Sequence, residues 1–186
     1  MSREVLQDHD RMLGAMVMQC DVVDVNTSTG MVRLAGRDGW QSPWVRWHSQ
    51  AAGKARHWRA PSVGERGTLL CPSGVPQAGR FIPGQFGAFA APDDRDHVEV
   101  WEFEDGGRLV YDWQAKRYSI SVPTGTVDIT VGSSQAVITD DAAQVKAASI
   151  TLTGEVKIAG TLHVTGNINS DASIIDTTGN TPNHKH

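Results

Sequence analysis

Aromatic residues are missing from the last third of this chain. All six tryptophans, all four phenylalanines and both tyrosines lie at or before Tyr118. Nothing beyond that position can fill a globular core with a ring. Cysteine is scarce as well: Cys20 and Cys71 are the only two, too few for a disulfide framework, and they read as buried free thiols rather than a bridge. No stretch approaches the roughly 20 apolar residues of a membrane-spanning helix. The opening "MSREVLQDHDRMLGAMV" has no uninterrupted apolar core, so no secretory leader is expected. Arginine and lysine are scattered and the formal net charge is −4, which argues against a polyanion as partner; no nucleic acid is expected.

Catalytic signatures are also missing. "PSG" at 72–74 lacks the Gly-x-Ser-x-Gly frame of a nucleophile elbow. "GRDG" and "EDGG" are turn chemistry rather than phosphate loops. Asp140–Asp141 and "PDDRD" pair carboxylates with no neighbour to drive their acidities apart. The sequence is not expected to encode an enzyme.

What is present divides the chain into five stretches. Residues 1–15 form a lead-in with an amphipathic run, Val5, Leu6, Met12 and Leu13, that predicts a short helix. Residues 16–95 carry five strand signals separated by Gly and Pro turns: "MVMQCDVVDV", "MVRLAG", "WQSPWVRW", "GERGTLLCPSG" and "AGRFIPGQF". Five short antiparallel strands, with "AAGKARHWRAPSVGE" as a long middle connection, predict a small closed barrel of the OB type. Residues 96–123 read as a connecting meander, turning at "EDGG" and "QAKR". In its first strand, Val98, Val100, Glu102 and Glu104 share one face and Trp101 and Phe103 the other. Residues 124–178 form an aliphatic tail, and 179–186 a terminal segment. The fold class is therefore all-β.

The tail alternates apolar and polar residues with period two. Its stripe runs through Val127, Ile129, Val131, Val137, Val145, Ile150, Leu152, Val156, Ile158, Leu162, Val164 and Ile168. Glycines at 154, 160 and 166 add a six-residue beat. A single copy of so thin a stripe cannot be buried. Three identical chains wound about one axis would bury it, one small side chain per chain at each level, and would leave no strand edge free. A ring would not fit beside two copies of itself there, which accounts for the missing aromatics. The expectation is an intertwined trimeric β-helix with these residues as its core. A monomeric β-helix and a disordered Ser/Thr/Gly tail are the rival readings; sustained alternation disfavours the second, and a coil of only six residues the first.

The sequence ends "NTPNHKH". In an extended strand, residues two apart point the same way, about 6.5–7 Å from each other. His184 and His186 can therefore aim at one point. Two imidazoles make a weak metal site; three chains around an axis would offer six, a number suited to octahedral coordination. Imidazole is compatible with Fe, Ni, Cu or Zn, although Zn prefers four ligands. A shared ion would clamp three chain ends into one point. The remaining histidines read as packing or surface residues: His48, His57 and His97 beside Trp or acidic residues, and His9 and His163 exposed.

At this point the residues resemble a known family. "SPWVRWHSQAAGKARHWRAPSVGERGTLLCPSGVPQAGRFIPGQF" followed by "FEDGGRLVYD" is similar to the baseplate assembly protein V family, the central spikes of contractile phage tails and R-type pyocins. With the alternating tail and the terminal His-x-His, the resemblance covers most of the chain. Members often run several residues past the histidine pair, whereas this sequence ends at His186. The resemblance implies an N-terminal OB-fold, a needle-like trimeric β-helix and a sharp apex. It implies one metal ion per trimer, Fe(II) first and Zn or Ni as alternatives. It implies a homotrimer that docks on the tail hub or tube and on baseplate proteins and touches the target's outer membrane transiently as it pierces it. Synthesis in the host cytoplasm, without a leader, and incorporation at the baseplate tip follow. The alternative is an OB-fold module for glycans or single-stranded nucleic acid, with Trp40, Trp44, Trp47 and Trp58 as stacking platforms and the tail as a trimerising stalk.

Overall fold

A computed structural model describes residues 3–172 of the chain. They fall into two compact units that divide after Pro123.

The first unit opens with helix α1 (Arg3–Gly14), as the amphipathic run predicts. None of its residues is buried, and Leu6 and Leu13 stay exposed on its apolar side. Its last turn rests against the turn at Pro72–Gly74, where Gly74 has φ +68°. A Cβ at Gly74 would stand 2.6 Å from the Met12 carbonyl oxygen, so only glycine lets the helix end come this close.

Five strands follow: β1 (Val17–Asn26), β2 (Met31–Ala35), β3 (Val45–Trp47), β4 (Arg66–Leu70) and β5 (Arg80–Gln85). They close into a barrel in the order β1-β2-β3-β5-β4. The expectation of five antiparallel strands fails at one seam: β3 and β5 are parallel, with Arg46 opposite Arg80 and Trp47 opposite Phe81. The long connection returns the chain antiparallel to β1 as β4, and the next reversal brings β5 alongside β3 in the same direction. "WQSPWVRW" yields a shorter strand than its pattern suggests, because Pro43 has no N–H to give a ladder.

Alternation decides which side chains fill the barrel. Cys20 and Val22 from β1, Val32 and Leu34 from β2, Val45, Leu69 and Phe81 point inward with Cys71, and all are buried. Gly67 leaves room for the Phe81 ring, which a Cβ there would strike. Both cysteines are free thiols, as expected. Burial, then the neighbouring Cys71 thiol and Asp21, push the Cys20 thiol up to about 11. Two ion pairs fasten the outside. Arg66 on β4 donates to both carboxylate oxygens of Asp21 on β1, at 2.8 and 3.1 Å. Arg59 donates through both terminal nitrogens to the buried Glu65, which also accepts the Ser62 N–H at 2.9 Å. This anchors the long connection without a helix.

The first unit ends in a meander of β6 (Val98–Glu102), β7 (Arg108–Asp112) and β8 (Arg117–Ser121). The turn between β6 and β7 is closed by Phe103 N–H donating to the Gly107 carbonyl at 2.9 Å and by Gly107 N–H donating to Asp105 Oδ1, also at 2.9 Å. The turn before β8 is closed by Ala115 N–H donating to Asp112 Oδ1 at 2.7 Å.

The second unit holds a three-stranded sheet of β9 (Val127–Val131), β10 (Ser134–Ile138) and β11 (Ala143–Lys146), in the order β11-β10-β9. A two-residue turn at Gly132–Ser133, with Gly132 at φ +57°, joins the first two strands. From 147 to 172 the chain forms neither helix nor paired strand. The strands expected through Ile150, Leu152, Val156, Ile158, Leu162, Val164 and Ile168 have no ladder partner within one polypeptide, and all seven side chains are exposed.

Candidate self-association surfaces

In the second unit, register sorts the apolar stripe. Val127 pairs with Ile138, Ile129 with Ala136 and Val131 with Ser134. Across the next ladder Ala136 pairs with Val145 and Ile138 with Ala143. One face therefore carries Val127, Ile129, Val131, Ala136, Ile138, Ala143 and Val145. The other carries Asp128, Thr130, Gln135, Gln144 and Lys146, together with Val137, which stands opposite Asp128 and Gln144. The placement of Val137 in one stripe with Val127, Ile129, Val131 and Val145 is thus corrected. A two-residue hairpin pairs odd positions of β9 with even positions of β10, so the apolar face moves to Ala136 and Ile138. It returns to odd positions in β11. Sequence reading missed Ile138, although the tight "VGSS" turn after Val131 carried the signal. On the polar face Gln135 donates to Asp128 at 2.7 Å, a cross-strand bond that fixes the register.

The apolar face is poorly covered: Ile129 is 61 %, Val131 74 %, Ile138 56 % and Val145 64 % exposed. The exposed stripe then continues through Ile150 to Ile168. So long a run of exposed aliphatics is unusual for a chain that acts alone.

The meander carries a second surface. Trp101 lies opposite Leu109, and Leu109 opposite Ile120; Glu99 lies opposite Tyr111, and Tyr111 opposite Tyr118. These residues share one face, around a shallow cleft of about 130 Å³. The Tyr111 and Tyr118 rings are tilted, 6.3 Å between centroids, and Trp101 Nε1–H donates to Glu99 at 3.1 Å. The opposite face is ionic. Arg108 pairs with Glu102 at 3.1 Å, and Arg95 bridges Asp93 at 2.8 Å and Asp112 at 3.2 Å. Side-chain and backbone hydrogen bonds from Arg95 hold the Asp93 carboxyl well below the usual carboxylate range. The Ala115 N–H, with His97 and Arg95 nearby, lowers that of Asp112.

The barrel tryptophans divide. Trp40 and Trp47 pack against the core, and Trp44 lies under the Arg33 guanidinium at 5.3 Å. Only Trp58 projects, its ring 5.3 Å from that of Trp47, beside a groove lined also by Arg46, Arg56 and His57. His184 and His186 lie outside the described residues. Among the described residues no group of three or more His, Cys, Asp or Glu side chains converges on a possible metal position. His9 and His163 are exposed, as expected, and His97 contacts Asp96 at 3.0 Å.

Two family matches fall on the two kinds of structure. Residues 18–86, the barrel, match the type VI secretion system and phage-baseplate injector OB domain. Residues 99–170, from the meander through the aliphatic stripe, match the β-helical trimerization domain of the Gp138 type. The chain belongs to the phage-baseplate spike family. A curated relative, the spike protein of Escherichia phage P2, is 26 % identical over 200 aligned positions, which span 97 % of this chain and 92 % of the relative. The spike chain is thus a baseplate component built from an OB barrel and a trimerization domain. Both exposed apolar surfaces, the aromatic face of the meander and the aliphatic stripe, lie within the segment matched to that domain.

Proposed function

We propose that three copies of the spike chain assemble into a needle that stands at the tip of a contractile tail and pierces the target's outer membrane when the tail contracts. The observation that carries this reading is the uncovered aliphatic stripe from Val127 to Ile168, which has no partner in its own chain and falls in the segment matched to a trimerization domain. Three copies would bury it around one axis, and strands left without ladders would pair between chains. The barrel would dock on the tail hub or tube and on neighbouring baseplate proteins. The part is mechanical rather than enzymatic.

At the apex, His184 and His186 of each chain would hold one axial metal ion. Six neutral imidazoles favour Fe(II), with Ni or Zn as alternatives. The ion would supply rigidity: a full ligand set leaves no position for chemistry. Sedimentation of the full chain combined with elemental analysis tests both levels. The expected particle has close to three times the 20.1 kDa chain mass and one metal per three chains. A monomer overturns the needle; a trimer without metal overturns the apex alone.

One observation favours a second reading. The projecting Trp58, beside Trp47, Arg46 and Arg56, offers a stacking platform with cationic neighbours. That would suit a glycan or a single-stranded nucleic acid. Retention of the full chain on immobilised glycans or oligonucleotides, lost on Trp58→Ala, would support it, and passage without retardation would remove it.

A further inference from the structure

We propose that the aromatic face of the meander is a self-contact in its own right, a collar in which Trp101, Leu109, Tyr111, Tyr118 and Ile120 pack against the same face of a second copy of this chain. The proposal rests on the trimer reading and adds to it a site separate from the aliphatic needle.

The two faces of this sheet are not equivalent. The ionic face is already tied to its own chain. Arg95 reaches Asp112, and Arg108 donates to the Pro92 carbonyl at 3.2 Å and lies 3.6 Å from Asp93. The stretch around 92–95 is thereby drawn onto that side. The aromatic face has no such cover: Trp101 is 50 % exposed, Tyr118 59 % and Ile120 51 %. Three strands are stable when such a face is packed, not when it meets water.

The occupant follows from position and chemistry. The segment matched to a trimerization domain begins at residue 99, inside β6, well before the aliphatic stripe starts at Val127. The aromatic face is thus the first part of that segment. Glu99 is the one charged residue lining its cleft, and its carboxylate is engaged by Trp101 Nε1–H. The face therefore offers apolar area without a charge pattern to select a foreign partner, and a like face can meet it without leaving a charge unpaired. Ring-sized side chains demand a wider packing layer than Val and Leu, so the collar would precede the narrow needle along the chain. The meander also completes its ladders within one chain, whereas residues 147–172 do not. The collar can therefore associate before the needle pairs.

Ile120 and Ser121 are adjacent and exposed on opposite faces of β8, which gives a direct test. Ile120→Cys and Ser121→Cys are made in the full chain, and maleimide labelling rates are measured on material whose oligomeric state is known from sedimentation. The wild type, whose two thiols are buried, sets the background. In a trimer, Ile120→Cys is expected to label about tenfold or more slowly than Ser121→Cys, because labelling then requires local opening. Trp101→Ser, should Ile120→Cys perturb packing, is expected to shift the trimer toward monomer at concentrations where the wild type stays assembled. Equal labelling of the two cysteines in a trimer, or a Trp101→Ser trimer as tight as the wild type, overturns the collar and leaves the needle standing. A monomeric wild type overturns the trimer reading beneath it.

Discussion

Val137 stands directly opposite Asp128 across the β9–β10 ladder, while its neighbour Ile138 stands opposite Val127. Adjacent residues thus belong to different surfaces, one polar and one apolar. An aspartate at Ile138 would bring three unpaired carboxylates together in the trimer, a cost on the order of several kcal/mol. At Val137 it would join the polar face. Ile138→Asp is expected to abolish or strongly weaken assembly measured by sedimentation, and Val137→Asp to leave it nearly intact. Equal effects would contradict the register.

Farther along, Val156→Asp or Leu162→Asp is expected to melt the needle. Both side chains are more than half exposed in the single chain, so neither substitution harms a monomer. Loss of a thermal transition in these variants, with the barrel transition retained, is the expected calorimetric result. An unchanged melting profile would argue against a threefold aliphatic core.

The double variant His184→Ala with His186→Ala is expected to lose the metal while remaining trimeric, since the stripe rather than the ion buries the apolar area. Elemental analysis alongside sedimentation reads both. Retention of metal by this variant would place the ion elsewhere.

Acid should loosen the meander. Asp93 and Asp112 have folded acidities held below the ordinary range, chiefly by Arg95 and by the Ala115 N–H respectively. A carboxylate with a lowered folded pKa contributes its full stabilisation above its unfolded value, about 4. That contribution is lost as pH falls through the folded value. The melting temperature is therefore expected to be flat from neutral pH to about 5 and to fall below about 4. Asp93→Asn should lower the plateau and flatten the acid limb. A wild-type profile that climbs on acidification would refute the assignment.

Cys20 and Cys71 should resist thiol reagents in the native protein. Both are buried, and burial raises both thiols, that of Cys20 to about 11. The reactive thiolate is thus scarce at neutral pH. Two thiols per chain are expected to titrate in denaturant and almost none without it. Rapid native labelling would show that the barrel opens readily.

Much of this architecture was legible in the residues. Turn chemistry and alternation gave the five barrel strands, α1 and the meander, because each depends on neighbours close in sequence. The parallel β3–β5 seam was not legible, since strand order is set by how distant segments meet. The aromatic face escaped notice for a related reason. Trp101 and Ile120 sit in different strands, and only the shared partner Leu109 shows that they belong to one surface.

The sequence by itself determined that the last third of the chain would be thin: with no ring after Tyr118 and a period-two aliphatic stripe, it has side chains for a narrow core and for nothing wider. Tertiary structure decided which side chains share a face, moving Val137 off the stripe and Ile138 onto it. The physical reason is that side-chain direction in a strand alternates locally, but the relation between one strand's phase and the next is set by the hydrogen-bonded register across the turn.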